Sequence, residues 1–147
     1  MEVVVFTASH SCYAEPVIRK IDPEGIIKHK FFRDHCVSTN EGIYIKDLRI
    51  FEDRNLKDVI LIDNSNYSFI FQQENGIPII SFYDDKSDDE LLVLKEFLLY
   101  LNGEEDVRPR ISDIFQSSSL FRITDVEDVK ALYTEKFNDL KSRMNKK

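Results

Sequence analysis

The chain has 147 residues, 42% hydrophobic and 32% charged, with a formal net charge of −7 and a pI near 5.0. That length suits one domain burying roughly 70% of its unfolded surface, and the acidic balance argues against nucleic acid as main partner, since phosphate backbones are bound by basic surfaces. No apolar run reaches about 18 residues, so no membrane span is expected, and the two cysteines, Cys12 and Cys36, give no disulfide framework.

The first strand is expected at once. Val3, Val4, Val5 and Phe6 form a β-branched and aromatic run, ending in the hydroxyl residues Thr7 and Ser9. No basic segment precedes it, so it reads as core strand and not as a signal peptide. "SHSCYAEPVIRKID" then carries a helix start, with Ser9 or Ser11 able to cap and Val17, Ile18 and Ile21 on one face. Pro16 is best tolerated in a first turn, which predicts a helix beginning just before it. Pro23 to Gly25 makes a turn, "IIKHKFFRDHCV" alternates as a strand, and Asn40 to Gly42 turns the chain into "IYIKDLRIF".

The clearest strand is "VILI", Val59 to Ile62, running into Asp63, Asn64 and Ser65; its continuous apolar character indicates burial on both faces. "GIPIISF" is another short strand. "SDDELLVLKEFLLYLNG" predicts a strong helix, with Ser87 and Glu90 as a capping box and Gly103 as its stop. Strands alternating with helices imply a parallel α/β sheet. From Gly103 the chain reads as polar and turn-rich until Thr124, which can cap a last helix. There Val126, Val129, Tyr133, Phe137, Leu140 and Met144 form one apolar stripe. The stripe of the 124–147 helix packs on its own domain, or else docks a partner or a second copy.

Three places put polar groups at the ends of expected parallel strands: Thr7, Lys46 in "YIKDL", and Asp63 with Asn64. Carboxyl ends of such strands converge on one crevice. A hydroxyl and an ammonium there suit phosphoryl oxygens, and an acid with an amide offers oxygen ligands to Mg²⁺. The plainer readings are that Lys46 beside Asp47 is a surface ion pair worth under about 1 kcal/mol, and that Thr7 caps the next helix. His10, His29, His35 and the cysteines lack paired metal-ligand spacing. His35 and Cys36, adjacent on a strand, point to opposite faces and cannot act as a nucleophile–base pair.

The string "VVFTAS…YAEPV…IDPEG…FFRDHC…YIKDL…VILIDNS…ENGIPI…DDKSDDELL" strongly resembles the small phosphatases that act on the C-terminal repeat of RNA polymerase II. These belong to the haloacid dehalogenase superfamily, whose relatives include Dullard-type nuclear-envelope phosphatases and a mitochondrial import subunit. The resemblance covers about residues 2 to 110. It implies a Rossmann-like α/β domain over 1–110, with 111–147 as a C-terminal helical extension. It further implies that Thr7 holds the phosphoryl group, that Lys46 neutralises the transferred phosphate, and that Arg33 lies near the substrate phosphate. Asn64 would be a direct Mg²⁺ ligand, with Asp63 acting beside it through a metal-bound water. The substrate would be a phosphoserine or phosphothreonine protein, in the nucleus or cytoplasm.

One family feature is absent. The reaction of such phosphatases begins at D-x-D-x-T, whose first aspartate attacks phosphorus and whose second protonates the leaving oxygen. No D-x-D occurs in these 147 residues. In that family the motif sits on a strand preceding the one that "VVVF" resembles, placed centrally between the counterparts of the strands ending in Thr7 and Asp63. The expectation is therefore a sheet lacking its central first strand, and a chain inactive alone. A pseudophosphatase that binds phosphopeptides or partner proteins is the alternative.

Overall fold

The valine-rich opening forms strand β1 (Val4–Phe6) and is followed by helix α1 (Ser11–Ile21) and strand β2 (His29–Phe31), which lies parallel to β1. The register sets Val4 opposite His29, Val5 opposite Lys30 and Phe6 opposite Phe31, with the two Phe rings 5.6 Å apart. This computed structural model describes residues 1–115 together with Glu135, Asn138, Asp139 and Ser142. The stripe from Val126 to Met144 lies outside the described residues. Two compact units are present, Met1–Asp47 and Leu48–Lys147.

In the first unit α1 departs from expectation. It starts five residues ahead of Pro16, which stands inside the helix and has no N–H to give the Cys12 carbonyl. Its N-cap is His10, and no side chain caps its first turn. Ala14 and Ile18 make the buried line, while Val17 is 44% and Ile21 68% exposed. The turn after α1 forms as expected, with Gly25 at φ +67°, a region open to glycine.

The stretch "IIKHKFFRDHCV" is not one strand. After β2 the chain coils into a 3₁₀ turn over Arg33–His35 before β3 (Val37–Ser38). The cause is local: the Cys36 N–H bonds the Arg33 carbonyl at 2.9 Å, and His35 Nδ1 accepts the Phe32 N–H at 3.2 Å. His35 and Cys36 therefore do not alternate across a strand. β3 pairs antiparallel with β4 (Tyr44–Ile45) through a turn with Gly42 at φ +80°.

In the second unit β5 (Leu61–Asp63) pairs in parallel with β6 (Gly76–Pro78). The connection is made of 3₁₀ turns at Asn66–Phe69 and Gln73–Asn75. Asn75 is 2% exposed; its Nδ2 donates to the carbonyls of Leu56 (2.6 Å) and Val59 (2.7 Å), tying the turn at 56–58 to the approach of β6. Among the described residues the strands thus form three two-stranded sheets, two parallel and one antiparallel.

Helix α2 (Glu90–Leu101) forms as expected, but its start is built differently. The Ser87 hydroxyl donates to Asp85 (2.6 Å), and the Glu90 N–H bonds Asp88 Oδ1 (3.1 Å), so Ser87 and Glu90 make no capping box. A further helix, α3 (Val107–Phe115), occupies a stretch that reads as polar and turn-rich. Its buried Val107, Ile111 and Phe115 recur every four residues, the spacing of one helix face. They join Ile77 of β6 and Val93, Leu94, Phe97 and Leu101 of α2 in the main core. Leu48, Leu61 and Phe69 form a second cluster.

Candidate functional site

Thr7 follows β1, and its amide N–H continues the ladder to the Phe31 carbonyl at 2.9 Å. Its Oγ1 accepts the N–H of Ser9 at 3.1 Å. The hydroxyl therefore folds the 7–9 loop onto itself and does not cap α1. With no side-chain cap and no acidic residue in its first turn, α1 keeps the uncompensated positive end that favours anions.

Arg33 is bound to this same loop. Its backbone N–H reaches the Ser9 carbonyl (3.1 Å), its Nε donates to the Ala8 carbonyl (2.6 Å), and its Nη1 meets His10 Nε2 at 3.0 Å. The guanidinium carbon lies 4.7 Å from the centroid of the Tyr44 ring. Arg33 and Thr7, singled out separately in the sequence, are thus neighbours through Ala8 and Ser9. The break of the expected strand at Arg33 is what turns its side chain onto the loop. Nothing in the sequence signalled His10 and Tyr44 as partners of Arg33, because they lie 23 and 11 residues away.

Lys46 directly follows β4, two residues beyond Tyr44. It is buried, at 8% exposure, which does not fit the surface-pair reading. Cys36 is half-buried with its sulfur 3.9 Å from the carbonyl oxygens of Thr7 and Phe32. That is a packing position under the loop, with the thiol as a weak donor.

In the second unit Asp63 ends β5 and is 8% exposed. Its Oδ1 accepts the Ser65 N–H at 2.7 Å, and its carbonyl receives the Ile79 N–H at 3.1 Å. The exposed Asn64 donates from Nδ2 to Ser81 Oγ at 2.9 Å, which leaves its amide oxygen as acceptor. A carboxylate and an amide oxygen are the hard donors that Mg²⁺ prefers, but Mg²⁺ demands near-octahedral coordination by about six oxygens. No group of three or more His, Cys, Asp or Glu suited to a metal occurs among the described residues. The donor chemistry of the pair fits Mg²⁺, an ion whose other positions are ordinarily filled by water and substrate phosphate.

The profile of NLI interacting factor-like phosphatases matches residues 1–108. The chain belongs to that phosphatase family. The family match takes in Thr7, Arg33, Lys46, Asp63 and Asn64 alike. Over 115 residues the chain is 50% identical to "CTD small phosphatase-like protein 2" of Dictyostelium discoideum, covering 78% of this chain and 20% of that protein. It is 44% identical over 106 residues to the human "CTD small phosphatase-like protein", 72% of this chain and 38% of that one. The human "Carboxy-terminal domain RNA polymerase II polypeptide A small phosphatase 2" is 42% identical over 106 residues, with the same coverage. The chain thus spans between 20% and 38% of the length of these curated relatives.

Proposed function

We propose that the Met1–Asp47 unit holds the phosphate of a phosphoserine or phosphothreonine protein, as part of a Mg²⁺-dependent phosphatase of the phosphoaspartyl type. The observation that carries this reading is the 7–10 loop, where Arg33 is fastened beside Thr7 and the uncapped start of α1. A phosphate dianion meets there a hydroxyl, a guanidinium and unbonded helix N–H groups, the donors that bind such an anion most strongly. Lys46 supplies the further cation that neutralises the transferred group. The names of the relatives support phosphoproteins as the substrate class.

The attacking group is not among these residues. No D-x-D occurs in these residues, so a phosphoaspartyl step needs an aspartate from outside them, and by themselves they are expected to bind without turnover. Magnesium belongs to the complete reaction, where it neutralises phosphoryl charge; Asn64 and Asp63 are the residues that would contribute to holding it. The second reading is a phosphatase-like module that recognises phosphopeptides without turnover. Either way the working compartment is the nucleus or cytoplasm, where phosphoserine proteins occur.

The test is a titration of the chain with a phosphoserine peptide and with its unphosphorylated twin, followed by release of inorganic phosphate over time. Selective binding of the phosphorylated form without release supports the reading. Equal or absent binding of both peptides overturns it, and phosphate release overturns the claim that the nucleophile is missing.

A further inference from the structure

We propose that His10 and Tyr44 are positioning residues that hold the Arg33 guanidinium as a fixed, unneutralised cation for the substrate phosphate; the phosphate part rests on the function proposed above. A free arginine side chain samples many rotamers, and that freedom must be lost each time it grips an anion. Here that loss is already met by the fold. Nε–H is bonded to the Ala8 carbonyl at 2.6 Å, Nη1 to His10 Nε2 at 3.0 Å, and the guanidinium lies over the Tyr44 ring at 4.7 Å.

The partners are as telling as the number of contacts. Each is neutral: a backbone carbonyl, an imidazole and a phenol ring. Arginine nitrogens only donate, so His10 Nε2 is the acceptor and its ring proton sits on Nδ1. Two of the five guanidinium N–H donors are used, and the other three remain for the two oxygens of a bidentate phosphate contact. An arginine held by a carboxylate would be equally rigid but already neutralised. This arrangement separates the two properties, giving rigidity without charge cancellation. Tyr44 contributes through the face of its ring, so phenylalanine serves there as well as tyrosine.

The experiment reads the clamp first, without ligand, in the full chain by NMR. Exchange of the Arg33 Nε–H with water is compared with that of the exposed Arg19. Wild type and Tyr44→Phe should show Arg33 exchange slowed at least about tenfold relative to Arg19. Tyr44→Leu and His10→Ala should bring it close to the Arg19 rate, with the backbone amide spectrum still dispersed. Equal rates for Arg33 and Arg19 in wild type overturn the clamp, as does slow exchange that survives both substitutions. If a substituted chain loses its amide dispersion, wild type against Tyr44→Phe and His10→Gln decides, the glutamine oxygen standing in for the imidazole acceptor. Loss of protection in Tyr44→Phe overturns the ring-face contact.

Inorganic phosphate is then titrated into the same samples. Affinity should fall about tenfold in Tyr44→Leu and His10→Ala and hold in Tyr44→Phe. A clamp lost with unchanged phosphate affinity overturns the positioning role. A protected Arg33 in a wild-type chain that binds neither phosphate nor phosphopeptide overturns the anion role and the function above, while the clamp geometry stands.

Discussion

The ring of Phe69 lies against the α-carbon of Gly76, so that a β-carbon at residue 76 would fall within 2.7 Å of three of its ring carbons. Phe69 is fully buried in the cluster with Leu48 and Leu61, and Gly76 opens β6, opposite Leu61 of β5. Glycine is needed here for space and not for backbone angle. Its φ of −86° is open to any residue.

Gly76→Ala should therefore destabilise the Leu48–Lys147 unit by about 2 to 3 kcal/mol, in the upper range of overpacking in a core. The urea midpoint reads this. Adding Phe69→Leu should recover part of the loss, because the two positions share one contact. Strict additivity of the two costs would show that the ring is not the obstacle.

Asn75 links two turns by one amide. Replacing it with alanine leaves the carbonyls of Leu56 and Val59 without their donor, at a cost of about 2 kcal/mol for buried acceptors. Asn75→Asp should be worse at neutral pH, since it aims a carboxylate at two carbonyl oxygens. Its deficit should shrink on acidification as the new carboxyl regains a proton. Thermal unfolding at pH 7 and pH 5 checks both statements.

Phe97 of α2 meets α3 in the main core, 1% exposed and 5.8 Å from the Phe115 ring in an edge arrangement. Phe97→Ala should cost about 3 to 5 kcal/mol, transfer plus cavity. Hydrogen exchange should then show α3 losing protection along with α2. An unaffected α3 would mean that its anchoring to β6 alone suffices.

Asp106 precedes α3, and hydrogen bonds first from the Arg108 side chain and then from its backbone N–H hold its carboxyl at about 2, below the ordinary 3.8. A carboxyl lowered in the folded state contributes stability that is present above about 4 and lost as pH falls towards 2. The wild-type advantage over Asp106→Asn should thus be constant near neutrality and close between pH 4 and pH 2. Denaturant midpoints at pH 7, 4, 3 and 2 test this. A gap that persists at pH 2 would assign the effect to something other than the charge.

Magnesium titrated calorimetrically into the chain should give weak or no binding, because the two D-x-D carboxylates that the family uses beside Asp63 and Asn64 do not occur in these residues. Tight binding that disappears in Asp63→Ala would show that two side chains and water suffice.

Several elements are legible in the sequence. β1 and β5 follow from short β-branched runs, α2 from its length and apolar content, and the turns at Gly25 and Gly42 from glycine's freedom at positive φ. These depend on interactions among near neighbours, which composition and spacing record. α3 could also have been found, since Val107, Ile111 and Phe115 keep a helical interval within the polar stretch.

The sequence by itself determined the residue types at the strand ends, the phosphatase family and the absence of D-x-D. Tertiary structure alone decided how Arg33 is held. Ala8, His10 and Tyr44 come to it from as far as 25 residues away, through the parallel β1–β2 register and a 3₁₀ turn where alternation predicted a strand. Periodicity reports which side of an element faces the core. A hydrogen bond between distant segments instead depends on register and loop path, which are set only when β1 and β2 pair and the turn after β2 closes.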